Sequence, residues 1–130
     1  MNMLVEQLLN ALRTHHLLKN VRLLTYDETP SGKLEVKIRC QVSKNFQLQI
    51  WLHHEADFQD YAYQLFTAHP ILRWDNAPHY PNQATAPHHF HDETGTVLDS
   101  PLSGNVMSDL PIVLSIIESW LLAQERKQSK

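Results

Sequence analysis

Residues that can transfer protons and bind phosphate are concentrated in one short segment, RWDNAPHYPNQATAPHHFH, at positions 73–91. In a ribonuclease, one imidazole removes the proton of a 2′-hydroxyl, a second protonates the leaving oxygen, and an arginine stabilises the charged phosphorane. An imidazole suits both transfers because its pKa lies near neutrality. We therefore predict a catalytic site from the residues that share these capacities: Arg73, Asp75, His79, His88, His89 and His91.

The roles within this site follow from residue type. His79 and one histidine of the PHHFH element can act as base and acid, and Arg73 can hold the phosphorane. Asp75 can orient a histidine by accepting its other ring proton. A structural alternative stays open: Arg73 and Asp75 are two residues apart, so on one strand they share a sheet face and can simply pair with each other.

Metal binding is a second chemistry for the same segment. His89 and His91 are separated by one residue, so on an extended chain both rings point to one side. They can chelate a zinc-like ion together with His79, Asp75 or Asp92. The spacing of an established motif such as His-Glu-x-x-His is missing from the sequence. We therefore expect no cofactor, and we keep a metal-dependent site as the alternative.

The elements that must position these residues are read from hydrophobic periodicity. KLEVKIRC and FQLQIWL alternate apolar and polar residues without a fault, as a half-buried strand does. Short turns join neighbouring strands, which forces antiparallel pairing. Helical spacing predicts helices over residues 3–17 and 110–125. The predicted strands cover residues 20–26, 33–40, 46–52, 61–66 and 71–76.

These elements predict a two-layer α+β fold with a five-stranded antiparallel meander. The alternation leaves one face of the sheet polar, so both helices should pack on the other face, with Trp74 buried between the layers. Residues 1–130 form a single domain in this prediction. It assigns residues 77–107 to a His- and Pro-rich loop and residues 124–130 to a flexible tail.

The polar face of this sheet is the best candidate surface for RNA. Basic side chains project from it among glutamines, and basic residues are the usual contacts to phosphate. The SPLSGN turn before the last helix adds backbone amides that can bind an anion. The predicted RNA-binding residues are Lys33, Lys37, Arg39 and Arg22.

Composition excludes several protein classes. The formal net charge of −3 rules out a strongly basic nucleic-acid binder, so any RNA contact must come from a local patch. Cys40 is the only cysteine, which excludes a disulfide framework and fits the cytoplasm. The N-terminal segment lacks the features of a signal peptide, and LPIVLSIIESWLLA is too short to span a bilayer. We expect no membrane association.

The chain also resembles a known family from the fourth predicted strand to the last helix. The elements YAYQLF, LRWDNAPHYP, PHHFH, SPLSGN and DLPIVL are similar to the TumE family, the toxins of bacterial and archaeal toxin–antitoxin pairs. The resemblance covers roughly residues 46–118. It departs from the family at Tyr80, where a second histidine is usual, and at Phe90, where a basic residue is usual. It implies a cognate antitoxin as partner.

Residues and resemblance together predict a toxin that acts as a metal-independent ribonuclease. Two alternatives are a non-catalytic toxin that inhibits a cellular target by binding and a metal-dependent hydrolase or nuclease. RNA and the antitoxin are the expected partners. The sequence leaves open whether the chain also pairs with a second copy of itself.

Overall fold

The computed structural model describes residues 1–128, which form two helices and seven strands. Asn2 caps the first helix, because its side-chain oxygen accepts from the backbone amides of Leu4 and Val5. In chain order the elements are α1 Met3–Thr14, β1 Leu18–Glu28, β2 Leu34–Val42, β3 Phe46–Glu55, β4 Phe58–Phe66, β5 Pro70–Asp75, β6 His89–His91, β7 Val97–Asp99 and α2 Val106–Gln128.

The strands form one open antiparallel sheet in the order of the sequence, from β1 to β7. The predicted antiparallel meander is confirmed, but the prediction of five strands is wrong. Strands β6 and β7 lie within residues 77–107, which were predicted to be loop. Each has only three residues, too few to display an alternating pattern, and backbone pairing of β6 with β5 holds it in the sheet.

One face of the sheet carries the hydrophobic core. Ile38, Ile50, Tyr63, Trp74 and Phe90 are successive cross-strand partners, so they form one row on this face. Apolar residues of both helices belong to the same buried cluster, which places α1 and α2 over this face. Trp74 is fully buried there, as predicted.

The helix boundaries differ from the prediction at three ends. Helix α1 stops at Thr14 because His15 takes an extended conformation. Helix α2 begins at Val106, earlier than predicted, because the Asn105 side chain accepts from the backbone amide of Ser108. It then continues to Gln128 through most of the predicted tail, and residues 129 and 130 lie outside the described part of the chain.

Helix α2 is also longer than the apolar run considered in the sequence. Its 23 residues are long and apolar enough, by length and composition, to cross a membrane. A core helix of a soluble protein meets the same criteria, and Leu110, Val113, Leu114 and Ile117 of α2 are buried in the core.

Candidate functional site

The face of the sheet opposite the helices is polar, and its side chains form cross-strand rows. One row, called here the arginine row, crosses six strands from β1 to β6 and contains no acidic residue. With strands about 4.8 Å apart, it is roughly 24 Å long. Its members in order are Arg22, Arg39, Gln49, Gln64, Arg73 and His91.

Glutamine amides hold the three arginines of this row in place. Arg39 donates to the amide oxygen of Gln49 at 2.6 Å, and Arg73 donates from Nη1 to that of Gln64 at 2.9 Å. Arg22 donates to the amide oxygen of Gln47 at 3.2 Å. A neutral amide orients a guanidinium without cancelling its charge, so these contacts leave the row positive.

Asp75 is the centre of a charged cluster where β5 meets β6. Its carboxylate is nearly buried, with 7% of the side chain exposed. Nε of Arg73 donates to Oδ2 at 2.8 Å, and Nε2 of His89 lies 2.6 Å from Oδ1. Nε2 of His91 is 3.7 Å from Oδ2, and the backbone amide of Ala77 donates to Oδ1. One carboxylate therefore faces three basic groups. The Asp75 cluster is Arg73, Asp75, His89 and His91.

His89 is the buried member of this cluster, with 2% of its side chain exposed. Its Nδ1 lies 3.0 Å from the carbonyl oxygen of Pro87, and its Nε2 faces the Asp75 carboxylate. Both partners are acceptors, and a neutral imidazole carries only one N–H. The ring is therefore fixed between two acceptors, by a hydrogen bond at Nδ1 and a short contact at Nε2.

His91 has the opposite character, although its ring is only 5.0 Å from that of His89. Desolvation by burial lowers the pKa of His91, and the attraction of Asp75 opposes this change, while the charges of His89 and Arg73 lower the pKa further. About a quarter of its side chain is exposed. The site thus combines a partly exposed imidazole, whose pKa is lowered, with a buried one.

Tyr80 covers the two histidines from the loop side. Its ring lies edge-to-face with His89 at 4.9 Å and with His91 at 5.7 Å between centroids. In the sequence, Tyr80 stands out only as a departure from the family pattern, and no role was predicted for it. The signal that could have identified Tyr80 as a site residue is its position between Pro78 and Pro81, because these prolines restrict the path of the loop.

Two clefts open on either side of Arg73. The first has a volume of about 370 Å³ and is lined by Gln64, Arg73 and His91 together with the β6–β7 turn. The second, about 230 Å³, lies between Trp51 and the Asp75 cluster, with Arg73 also in its wall. Arg73 keeps 41% of its side chain exposed, so the guanidinium is accessible to a ligand.

The structure does not bring the two remaining predicted histidines into the Asp75 cluster. His79 is exposed, and within residues 1–128 it makes no hydrogen bond or ion pair; its ring centroid is 6.5 Å from that of Tyr80. Nδ1 of His88 pairs at 2.8 Å with the hydroxyl of Tyr61, which belongs to the core face. His88 and His89 are adjacent on an extended chain, so they point to opposite faces.

The predicted RNA-binding residues separate into two groups. Arg22 and Arg39 lie on the arginine row, and Lys37 lies in the neighbouring row as the cross-strand partner of Trp51. Lys33 lies apart, near the β1–β2 turn, where its Nζ is 3.8 Å from a carboxylate oxygen of Glu55. The structure therefore places Lys33 away from the arginine row.

The amides of the SPLSGN turn already have an anionic partner. The carboxylate of Asp109, which is only 1% exposed, accepts from the backbone amides of Ser103 and Gly104 and from the Ser103 hydroxyl. The prediction of a free anion-binding turn is therefore corrected. This contact ties the turn to helix α2.

Asp75, His89 and His91 also form a group that can offer three ligand atoms, all within 4.8 Å of one another. Their spacing fits a hydrogen-bonded cluster better than a metal centre. Two ligands of a tetrahedral zinc ion are roughly 3.3 Å apart for bonds of about 2.0–2.1 Å. Oδ1 of Asp75 and Nε2 of His89 are 2.6 Å apart, and the Arg73 guanidinium occupies the other carboxylate oxygen. His79 is not part of this group.

Comparison with known proteins gives one match. No similar chain is found among the curated proteins or the solved structures. A family model described as toxin TumE matches residues 7–121, which extends the resemblance seen in the sequence back into helix α1 and covers most of the chain. This protein therefore belongs to the TumE toxin family.

Proposed function

We propose that this toxin is a metal-independent ribonuclease whose reaction centre is the Asp75 cluster. The observation that carries the proposal is a partly exposed imidazole beside an exposed guanidinium in one cleft. His91 and Arg73 line this cleft, and burial lowers the pKa of His91, which favours its basic form. A neutral base next to a fixed cation is the combination that attack of a 2′-hydroxyl on a phosphodiester requires.

His91 takes the proton of the 2′-hydroxyl in this reaction, and Arg73 stabilises the charge that develops on the phosphorane. Asp75 and His89 act as positioning residues behind them, because both are buried and already hydrogen-bonded. The Arg73 side chain is fixed by two partners, Asp75 and Gln64, which orients its remaining N–H groups toward the cleft. Because the Arg73 side chain is already oriented, it does not have to move when the transition state forms.

The proton donor for the leaving oxygen comes from the loop in this scheme. His79 is exposed on that loop and neighbours Tyr80, whose ring contacts His91. We assign the role of general acid to His79. The reaction then takes place in the cytoplasm, where RNA is available, and Arg22, Lys37 and Arg39 contact its phosphates.

Membership of the toxin family implies a cognate antitoxin partner. The antitoxin must prevent the reaction when it is bound. An antitoxin that covers the arginine row and the Asp75 cluster blocks the access of RNA to both.

The test is cleavage of RNA by purified protein in the presence of EDTA. Wild-type protein should cleave, and His91→Ala should lose about 10²- to 10⁴-fold in rate, the usual value of a catalytic proton transfer. Arg73→Lys should also lose activity, because an ammonium keeps the charge but lacks the planar fork that binds two phosphate oxygens. His79→Ala tests separately whether His79 is the general acid.

His16→Ala is the matched control, because His16 is an exposed histidine paired with Glu118 of helix α2. It should cleave at the wild-type rate. Full activity of a folded His91→Ala protein would overturn the assignment of the base. Activity that is lost in EDTA and restored by a divalent metal would favour the metal-dependent alternative, and growth arrest without any RNA cleavage would favour inhibition by binding.

A further inference from the structure

Trp51 is a large aromatic residue on the polar face of the sheet, where the proposed function gives it no role. It is half-buried, and its indole nitrogen donates to a carboxylate oxygen of Glu35 at 3.4 Å. Its cross-strand partner toward the Asp75 cluster is Ala62, the smallest side chain in that row. The short side chain leaves the cleft of about 230 Å³ open between the indole and Asp75.

The chemistry of this cleft suits a nucleobase better than a phosphate. One wall is the indole, and the others include Asp60, Asp75 and Asn76. The oxygens of Asp75 and the amide of Asn76 are already paired within the protein. The Asp60 carboxylate, which is 42% exposed, is the acceptor for the amino group of a base. Aromatic side chains on an open sheet face are the usual platform on which bases of single-stranded nucleic acid stack.

The arginine row supplies the matching track for the backbone. It runs beside the row of Trp51, contains Arg22, Arg39 and Arg73, and has no acidic member. Arg73 belongs to this row and also lines the Trp51 cleft, so a base in the cleft is next to a phosphate at Arg73. The positive arginine row suits the negatively charged backbone of RNA. The Trp51 cleft, with its carboxylate acceptor, suits a base.

From this juxtaposition we infer that Trp51 is a base-stacking platform and that the substrate is single-stranded RNA, with its backbone along the arginine row and one base in the Trp51 cleft. The inference rests on the proposed ribonuclease function and names its substrate class. It also explains why the bases must be unpaired, since a duplex hides the faces that stack on the indole.

The test uses a dye-labelled 2′-O-methyl RNA of about eight nucleotides, which lacks the 2′-hydroxyl needed for cleavage. The anisotropy of the dye reports the affinity of every variant, and tryptophan fluorescence reports stacking. Binding should quench the wild-type protein and the control Trp120→Phe, whose indole lies against Phe46 and Glu93. Trp51→Ala should bind about 5- to 150-fold more weakly, the range for loss of one stacking contact. Trp51→Phe retains a ring and should restore most of the affinity while abolishing the quenching.

The salt dependence tests the backbone track. Four phosphate contacts, from Arg22, Lys37, Arg39 and Arg73, predict a slope of about −3 in log affinity against log salt, and Arg39→Gln should reduce its size by about 0.7. Arg13→Gln removes the same charge from the exposed surface of helix α1 and should leave the slope unchanged. The duplex formed with the complementary strand should bind at least about tenfold more weakly than the single strand.

Equal binding by Trp51→Ala, equal binding of the duplex, or no binding of the single strand would each overturn the inference. These results are distinct from failure of the proposed function. Cleavage of RNA without dependence on Trp51 would leave the ribonuclease and remove the platform. Binding that depends on Trp51 without any cleavage would leave the platform and remove the ribonuclease.

Discussion

Replacement of Asp75 by asparagine tests whether one buried carboxylate holds the site together. The amide keeps the shape of Asp75 but removes its charge and turns one acceptor into a donor. That NH₂ group would face either the Arg73 guanidinium, which donates to the carboxylate, or the His89 ring, whose Nε2 lies 2.6 Å from it. His89 would remain buried at 2% exposure without an anionic partner.

The size of the effect follows from burial. Two groups, the His89 ring and the Ala77 amide, face the buried carboxylate, and an unsatisfied buried polar group costs about 1–3 kcal/mol, so the two together cost about 2–6 kcal/mol. The half-exposed Arg73 adds less than about 1 kcal/mol, because solvent screens it. With a urea m-value of about 2 kcal/mol/M, Asp75→Asn should lower the unfolding midpoint by about 1–3 M.

The assay is urea unfolding at neutral pH, followed by circular dichroism. Asp60→Asn is the matched control: it makes the same chemical change on the neighbouring strand β4, where Asp60 is 42% exposed and lies 3.5 Å from His53. This exposed contact should be worth about 1 kcal/mol at most. If Asp75→Asn unfolds at the same urea concentration as Asp60→Asn, Asp75 does not hold the cluster together and the reasoning is wrong.

Three further predictions concern the rest of the fold. Asp109→Asn should lose about 2–4 kcal/mol in urea unfolding, because a buried carboxylate that accepts three hydrogen bonds is replaced by an amide, whereas Ser108→Ala at an exposed position should stay within about 0.5 kcal/mol. Burial raises the pKa of the Cys40 thiol to about 11, so iodoacetamide should label it only after unfolding, and labelling of native protein by mass spectrometry would contradict its position in the core. Burial, and secondarily the charge of His53, lowers the pKa of His54 below its usual value of about 6.5, so the unfolded chain binds more protons there and the free energy of unfolding should fall as the pH drops through that value. His54→Gln should flatten this part of the stability profile, and an unchanged slope would refute the assignment.

The candidate site was partly readable in the sequence because strands alternate. Spacing predicted that Arg73 and Asp75 share one face of a strand and that His89 and His91 point to one side of the chain. The pairing of β5 with β6, which the sequence did not predict, brings the two pairs together. His88 was grouped with them because the PHHFH element was taken as loop. When HFH is recognised as a strand, the side chain of His88 must point to the face opposite that of His89. The strand character of HFH was the signal that the sequence reading missed.

The sequence by itself determined the meander from β1 to β5 and which face of the sheet is apolar and which is polar. The period of two in KLEVKIRC and FQLQIWL is a local property, and each strand pairs with its neighbour in the chain, so no distant contact is needed to predict it. Trp74 was correctly assigned to the core for the same reason. Helix α1 follows likewise from the spacing of its apolar residues.

What only the tertiary structure decided is everything that depends on partners distant in the chain. Strand β6 exists because the backbone of β5 offers it hydrogen bonds, and three residues carry no periodic signal of their own. The contacts of the His89 ring are made with Asp75 and with the Pro87 carbonyl, and the reduced pKa of His91 is set by burial within the folded protein. Tyr80 reaches these histidines through the path of a loop. Burial and charge pairing act through space, so the chemistry of the site becomes visible only when the sheet is assembled.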